Sequence, residues 1–115
     1  MSRLKNLFKR DRNKLVVFIT AGFPKKESTE DLVLQAIEAG ADMIEIGIPF
    51  SDPQADGPII QKASEIALSN GITLSIIFDQ VRSIRKKTDI PIALMGYYNP
   101  ILAYGINNFL SLIHI

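Results

Sequence analysis

Three short apolar runs alternate with longer amphipathic stretches along the chain. The runs are residues 15–20 (LVVFIT), 42–48 (DMIEIGI) and 90–97 (IPIALMGY). They are rich in the β-branched and aromatic residues that strands favour. Residues 32–37, between the first two runs, repeat apolar positions at helical spacing. Because strands and helices alternate and the strands are apolar on both faces, the pattern predicts a parallel α/β sheet covered by helices.

Capping residues predict where the helices begin. Ser28 or Thr29 is suited to cap the first long helix, and the Gly57-Pro58 pair is suited to open the second. Thr73 is suited to cap a third helix, and residues 99–112 form a further helical stretch. The positions of the third helix that we expect to face inward are Ile77, Val81 and Ile84.

The basic N-terminal segment has three competing interpretations. Six of the 13 basic residues lie in the first 14 positions, as in nucleic-acid-binding arms and transit peptides. The segment is short for a transit peptide and lacks the interleaved aromatic residues on which bases stack. Leu4, Leu7 and Phe8 instead have the spacing of a short helix that buries one side. We therefore expect such a helix and no nucleic-acid partner.

The composition is that of an ordinary globular domain, and it limits the chemistry. The 115 residues are 47% hydrophobic and 22% charged, which fits one folded domain. No apolar run has the length that a membrane-spanning helix needs. The chain has no cysteine, which excludes disulfides and thiolate metal ligands and fits the cytoplasmic location that we expect.

A carboxylate stands in the middle of the second apolar run. In an extended strand, Met43, Glu45 and Gly47 point to one face, and the neighbouring isoleucines point to the other. The isoleucine face suits a layer of helices, so Glu45 is expected inside a barrel or on the floor of a cleft. A carboxylate there loses hydration, which disfavours its charged form unless a cation pairs with it. The alternatives are a buried ion pair and a functional carboxylate near the C-terminal end of a parallel strand.

Two more acids follow on the loop after that strand. Pro49 and Pro53 restrict the backbone, so Asp52 and Asp56 are carried on a stiffened segment. Asp56 has a second interpretation as the cap of the following helix, and Asp52 has one as a turn former. A strand carboxylate and a loop carboxylate that meet at one small molecule suit proton transfer at one atom and charge stabilisation at another.

Other kinds of site lack their sequence signatures. A metal site is the competing use of three acids, but the only histidine is His114 and no ligand spacing recurs. The sequence contains no P-loop, no G-x-G-x-x-G motif and no nucleophile elbow. We therefore expect neither a metal nor a nucleotide cofactor.

Four stretches of the sequence together resemble one known family. They are residues 18–24 (FITAGFP), 40–68 (GADMIEIGIPFSDPQADGPIIQKASEIAL), 70–73 (NGIT) and 94–102 (LMGYYNPIL). On these stretches, residues 14–110 resemble the tryptophan synthase α subunit. The string E-x-G-x-P-F-S-D-P-x-A-D-G-P, which begins at Glu45, is the most specific part of the resemblance.

The resemblance implies a fold and an activity. The fold is a (β/α)8 TIM barrel, of which this chain would form the first three β/α units. The activity is a lyase reaction of tryptophan biosynthesis, the retro-aldol cleavage of indole-3-glycerol phosphate to indole and glyceraldehyde 3-phosphate. By motif position, Glu45 would be the general acid and base, and Asp56 would bind the indole N–H and stabilise positive charge on the ring. Phe18, Met95 and Tyr97 match positions that line the substrate pocket.

The resemblance also implies a partner. Indole would pass to a β subunit whose pyridoxal phosphate joins it to serine, within an α2β2 tetramer. This subunit itself would need no cofactor. Pro49 and Asp52 on the loop, and Asn99 after the third strand, match the surface that meets the β subunit.

Two other functions stay open at this point. The chain could act as a non-catalytic partner that docks on and activates a pyridoxal-phosphate enzyme. It could also belong to another family of phosphate-sugar barrels, such as the indole-glycerol-phosphate synthase type. A resemblance to that type would imply a catalytic lysine within a strand. No predicted strand here contains a lysine, which favours the lyase or the docking partner.

The length of the chain sets a further expectation. A barrel of this type needs roughly 250 residues, whereas the sequence has 115. We expect residues 1–115 to be the N-terminal part of one barrel domain, with phosphate-binding residues beyond position 115. We also expect residues 111–115 (SLIHI) to depart from the family, and a piece of this size to be inactive on its own.

Overall fold

A three-stranded parallel sheet with helices forms the framework of the protein. The computed structural model describes residues 2–115. Within them, the strands are β1 (Val16–Thr20), β2 (Met43–Gly47) and β3 (Ile92–Met95), paired in parallel in the order β1-β2-β3. The helices are α1 (Arg3–Phe8), α2 (Ser28–Glu38), α3 (Pro58–Ser69), α4 (Leu74–Arg85), α5 (Tyr98–Tyr104) and α6 (Ile106–Leu112). The alternation of strands and helices predicted from the apolar pattern is confirmed.

The main core lies between the sheet and the helices. Ile44 and Ile46 of β2 are fully buried and pack in one cluster with residues of the helix layer. The members that α4 contributes are the three predicted ones, Ile77, Val81 and Ile84. The α4 cap is also as predicted, because the backbone N–H of Ile76 donates to Thr73 Oγ1 at 3.2 Å. The residues that strand alternation and helical spacing predicted to face inward are therefore the ones that form this core.

The predicted cap of α2 is wrong. The residue before the helix is Glu27, and both Ser28 and Thr29 lie inside the first turn. Their hydroxyl groups accept hydrogen bonds from the preceding loop instead. The N–H of Lys25 donates to Ser28 Oγ at 3.2 Å, and the N–H of Gly22 donates to the buried Thr29 Oγ1 at 3.0 Å. These side chains stabilise the loop after β1 because its backbone donors need partners.

The helical stretch predicted for residues 99–112 is two helices. Gly105 stands between α5 and α6 with a φ of 103°, a backbone conformation that favours glycine. Its own N–H still bonds to the carbonyl of Ile101 at 3.1 Å. The chain therefore changes direction at this residue, which apolar periodicity alone does not show.

The N-terminal helix forms as predicted but buries less than its spacing suggested. Leu7 is buried, whereas Leu4 and Phe8 are exposed. The helix is held at its start by Arg3, whose guanidinium lies 3.3 Å from the Asp89 carboxylate. Among residues 2–115, no helix is long and apolar enough to cross a membrane.

Asp42 fastens the segment after α1 to the start of β2. It accepts hydrogen bonds from the Arg12 guanidinium and from the backbone N–H of Leu15, the latter at 2.8 Å. Chiefly through the Arg12 hydrogen bond and then the Leu15 one, the pKa of Asp42 falls from 3.8 to about 2. A folded-state pKa below the unfolded value means that the ionised carboxylate stabilises the fold.

The hydrogen bonds to the ionised Asp42 carboxylate predict a pH dependence of stability. Their contribution is fully present above the unfolded pKa and is lost as the pH falls from about 4 to about 2. We expect Asp42→Asn to lower the free energy of unfolding at neutral pH, and the difference from the unaltered protein to shrink as the pH falls through that range. Urea unfolding at several pH values measures this. The exposed Asp11→Asn is the control, and a constant difference for Asp42→Asn would contradict the prediction.

The second face of the sheet is open to solvent. Phe18 and Met95, which flank β2 on this face, keep 37% and 49% of their surface exposed. Val16 is also exposed. Apolar side chains of a parallel sheet are normally covered on both faces. This face, which also carries Glu45, is therefore the side on which further structure would pack.

A candidate active site at the C-terminal ends of the strands

A cavity of about 170 Å³ lies where the three strands end. Strand β1 contributes Phe18 and Thr20, and β2 contributes Gly47. The loop after β2 contributes Asp56, and the end of β3 contributes Met95 and Tyr97. The cavity thus brings together Phe18, Asp56, Met95 and Tyr97, which are separated by up to 79 positions in the sequence. Parallel α/β folds place their binding sites at this end of the strands.

A glycine makes room for the aromatic wall of the cavity. Phe18 lies beside Gly47, and a Cβ atom at Gly47 would be 2.5 Å from Phe18 Cζ. No side chain fits there unless the ring moves. Gly47 therefore allows Phe18 to lie across the end of β2, which is why the Met43–Glu45–Gly47 face ends in its smallest residue.

Glu45 lies on the same face but deeper along the strand. Its register partners are Phe18 on β1 and Ala93 on β3. The residue is half-buried, and it is not among the residues that line the cavity, although Phe18 and Gly47 beside it are. None of the ion pairs within residues 2–115 includes Glu45. The predicted alternative of a buried ion pair therefore has no support from this part of the chain.

The side chain of Asp56 contacts Tyr97 and does not cap the helix that follows. The residue before α3 is Gly57, and no side chain caps that helix. The side chain of Asp56 instead meets Tyr97, whose hydroxyl lies 3.3 Å from Asp56 Oδ2. The interpretation of Asp56 as a helix cap is therefore wrong, and its carboxylate is available at the cavity.

Tyr97 and Gln61 hold the loop between β2 and α3. The N–H of Ala55 donates to the Tyr97 hydroxyl at 2.8 Å, and the rings of Tyr97 and Phe50 lie 5.3 Å apart. From α3, Gln61 Nε2 donates to the backbone carbonyl of Asp56 at 2.6 Å. Gln61 was missed in the sequence, where its only signal is an amide side chain in the first turn after an acid-bearing loop.

The residues expected at a partner surface lie outside the cavity. Pro49 and Asn99 line a separate groove of about 380 Å³, formed with residues of α3, α4 and α5. Pro49 is buried in it, whereas Asn99 is exposed. Asp52 lies on the exposed loop, where Gln54 Nε2 donates to its carboxylate at 3.4 Å. The proline therefore shapes the groove, and the two polar residues are accessible.

The described part of the chain shows no cluster of acidic side chains of the kind that binds a metal ion. Residues 2–115 contain no group of three or more histidine, cysteine, aspartate or glutamate side chains placed to hold a metal ion. Asp52 and Asp56 share a loop but point to different surroundings, one to solvent and one to the cavity. What the arrangement offers chemically is a small pocket with aromatic and apolar walls, one carboxylate at its rim and a second one beside it.

A family comparison decides the relationship of this chain to known proteins. The family profile described as "Tryptophan synthase alpha chain" matches residues 4–114. The chain belongs to the tryptophan synthase alpha chain family. The match covers both carboxylates, the cavity and the groove.

Individual relatives support the same assignment. The tryptophan synthase alpha chain of Geotalea daltonii is 54% identical over an alignment of 115 positions. This alignment covers 96% of this chain and 44% of that relative. The solved tryptophan synthase subunit alpha of Legionella pneumophila is 44% identical, with a TM-score of 0.87 over 93% of this chain and 41% of that one. A tryptophan synthase complex from Pyrococcus furiosus is 46% identical, with a TM-score of 0.79 over 86% of this chain and 41% of that one.

The comparisons define the fold class and the extent of the chain. The sequence spans less than half the length of the relatives that it matches. The parallel sheet with its helices forms the first three β/α units of the (β/α)8 barrel of this family. The open face that carries Glu45 is the side that faces the interior of such a barrel.

Proposed function

We propose that this chain contributes the general acid and base and the indole-binding carboxylate of a lyase. The reaction is the retro-aldol cleavage of indole-3-glycerol phosphate to indole and glyceraldehyde 3-phosphate. One observation carries the proposal: the cavity at the strand ends is lined by Phe18, Asp56, Met95 and Tyr97 and adjoins Glu45 on the same sheet face. Membership of the tryptophan synthase alpha chain family supports it.

Glu45 would move protons at the reacting carbon. Cleaving the bond between indole C3 and the glycerol chain requires C3 to become tetrahedral, so a proton donor must reach that atom. The same group can then remove a proton from the glycerol hydroxyl as the aldehyde forms. A carboxyl group screened from water holds its proton more readily than one in solution. Within residues 2–115 Glu45 forms no ion pair, and it lies on the sheet face that would be turned to the barrel interior.

Asp56 would act on the indole ring at the other end of the pocket. Protonation at C3 places positive charge on the ring, and the ring N–H becomes a stronger hydrogen-bond donor. A carboxylate that accepts this hydrogen bond stabilises the charge as it develops. Phe18 provides a flat aromatic surface for the ring on one side of β2, and Met95 provides an apolar surface on the other.

The proposed partner is a β subunit that carries pyridoxal phosphate. The Pyrococcus furiosus relative is described as a tryptophan synthase complex, and the groove that contains Pro49 and Asn99 supports a docking surface separate from the cavity. The chemistry proposed for this chain uses carboxylates alone, so the chain itself needs no cofactor. A purely docking role is the second candidate, favoured by this groove, but it leaves the placement of Asp56 unexplained.

The test uses a completed barrel. This is defined as the present chain joined to the part of the Geotalea daltonii relative that the match does not cover. Release of indole from indole-3-glycerol phosphate by this protein supports the lyase. If the completed barrel folds and activates the β subunit from the same organism but releases no indole, the docking role is favoured instead.

Asp52, on the loop after β2, allows the contact with the β subunit to be tested separately from cleavage. We expect Asp52→Ala in the completed barrel to weaken activation by the β subunit more than it weakens cleavage without that subunit. The reason is that Asp52 is exposed and lies outside the cavity. Indole release measured with and without the β subunit gives the comparison, and Asp11→Ala, at another exposed acid, is the control. Equal losses in both assays would place Asp52 in the active site.

A further inference from the structure

The hydroxyl of Tyr97 lies between two groups of the loop that follows β2. The backbone N–H of Ala55 donates to it at 2.8 Å, and Asp56 Oδ2 lies 3.3 Å away. A backbone N–H cannot accept a hydrogen bond, so the single proton of the hydroxyl is free for the carboxylate. The contacts therefore have one direction, from the Ala55 N–H to Tyr97 and from Tyr97 to Asp56.

This contact occupies one oxygen of Asp56 and leaves the other available. Within residues 2–115, no group donates to Asp56 Oδ1, and Asp56 lines the cavity. Its backbone carbonyl is held separately by Gln61 from α3, at 2.6 Å. Main chain and side chain are thus fixed from two different elements, α3 and the end of β3.

We infer that Tyr97 is a positioning residue, which turns the second oxygen of Asp56 toward the indole N–H of the substrate. The inference rests on the proposed lyase function and adds to it the residue that orients one of its two carboxylates. Because the Ala55 N–H holds the hydroxyl from one side, the hydroxyl proton is left for Asp56 and favours the rotamer of this short side chain that faces Tyr97. The pocket wall formed by the Tyr97 ring is a separate contribution of the same residue.

The ring and the hydroxyl of Tyr97 can be tested separately. The ring lies 5.3 Å from that of Phe50 in a tilted arrangement, which does not depend on the hydroxyl. Tyr97→Phe therefore keeps the pocket wall and removes only the bonds to Ala55 and Asp56. The neighbouring Tyr98 has an exposed side chain outside the cavity, so Tyr98→Phe is the matched control.

The experiment is a double-mutant cycle in the completed barrel. We expect Tyr97→Phe to lower kcat/KM for indole-3-glycerol phosphate by about tenfold when Asp56 is present. In an Asp56→Ala background, the same change should alter kcat/KM by less than about twofold, because the group that it orients is gone. Tyr98→Phe should have no effect in either background. Equal losses in both backgrounds would show that Tyr97 acts independently of Asp56 and would overturn the inference.

A second measurement does not depend on activity. Hydrogen–deuterium exchange of the peptide that spans residues 51–56 reports the Ala55 N–H, which should exchange faster in Tyr97→Phe than in Tyr98→Phe. Equal exchange in the two variants would overturn the inference even if activity falls. If the unaltered completed barrel releases no indole, the lyase proposal fails, but faster exchange in Tyr97→Phe would still support the positioning of the Asp56 loop by Tyr97.

Discussion

Glu45→Gln is expected to abolish indole release by the completed barrel while leaving its fold and its binding of the β subunit nearly intact. The substitution keeps the size of the side chain and removes only the group that gives and takes protons. General acid–base catalysis contributes about 10²–10⁴-fold, and one residue that serves both C3 and the hydroxyl should stand at the upper end of that range. Glu45 has no ion pair in residues 2–115 to lose, so little destabilisation should accompany the change.

Indole release and thermal unfolding of the same preparations check this expectation. Glu38→Gln, at an exposed position at the end of α2, is the matched control and should keep full activity. A Glu45→Gln protein that retains more than about a tenth of the activity would show that its proton is not needed in the reaction. A large fall in melting temperature would instead indicate that Glu45 has a structural partner in the rest of the barrel.

The chain of 115 residues, expressed alone, is expected to release no measurable indole although it contains both carboxylates. Phe18 and Met95 are substantially exposed beside β2, so the pocket that they would form around the ring lacks its opposite wall. Strands β1 and β3 are both unpaired on their outer edges within residues 2–115, which favours association of copies through the exposed edges.

Three measurements on the isolated chain check this expectation. Circular dichroism shows whether the chain is helical, and size-exclusion chromatography shows whether it is monomeric. The indole assay shows whether it cleaves indole-3-glycerol phosphate. Addition of the separately expressed part of the Geotalea daltonii relative that this chain does not cover should restore activity, because it supplies the remaining wall. Turnover by the monomeric chain without that part would contradict the prediction.

The sequence by itself determined the three strands, the helices up to α4 and the main core of this protein. Period-two alternation in residues 43–46 separates buried from half-buried positions, and helical spacing in α4 separates its buried positions from the others. The Thr73 cap followed from the same local information, because its hydroxyl bonds a backbone group only three residues away. Interactions of this range depend on neighbouring residues alone, so the amino-acid order is sufficient to predict them.

Contacts between distant segments were decided only by the tertiary structure. Thr29 is in the first turn of α2 and not at its cap, because the loop after β1 brings the Gly22 N–H to its hydroxyl. Asp56 faces the cavity and not the start of α3, because Tyr97, 41 positions away, donates to its carboxylate. Both residues are good local caps, and the sequence offers no means of ranking a local partner against a distant one. The turn after β1 places the Gly22 N–H beside Thr29, and the pairing of β3 with β2 brings Tyr97 within reach of Asp56. These hydrogen bonds then replace the local ones.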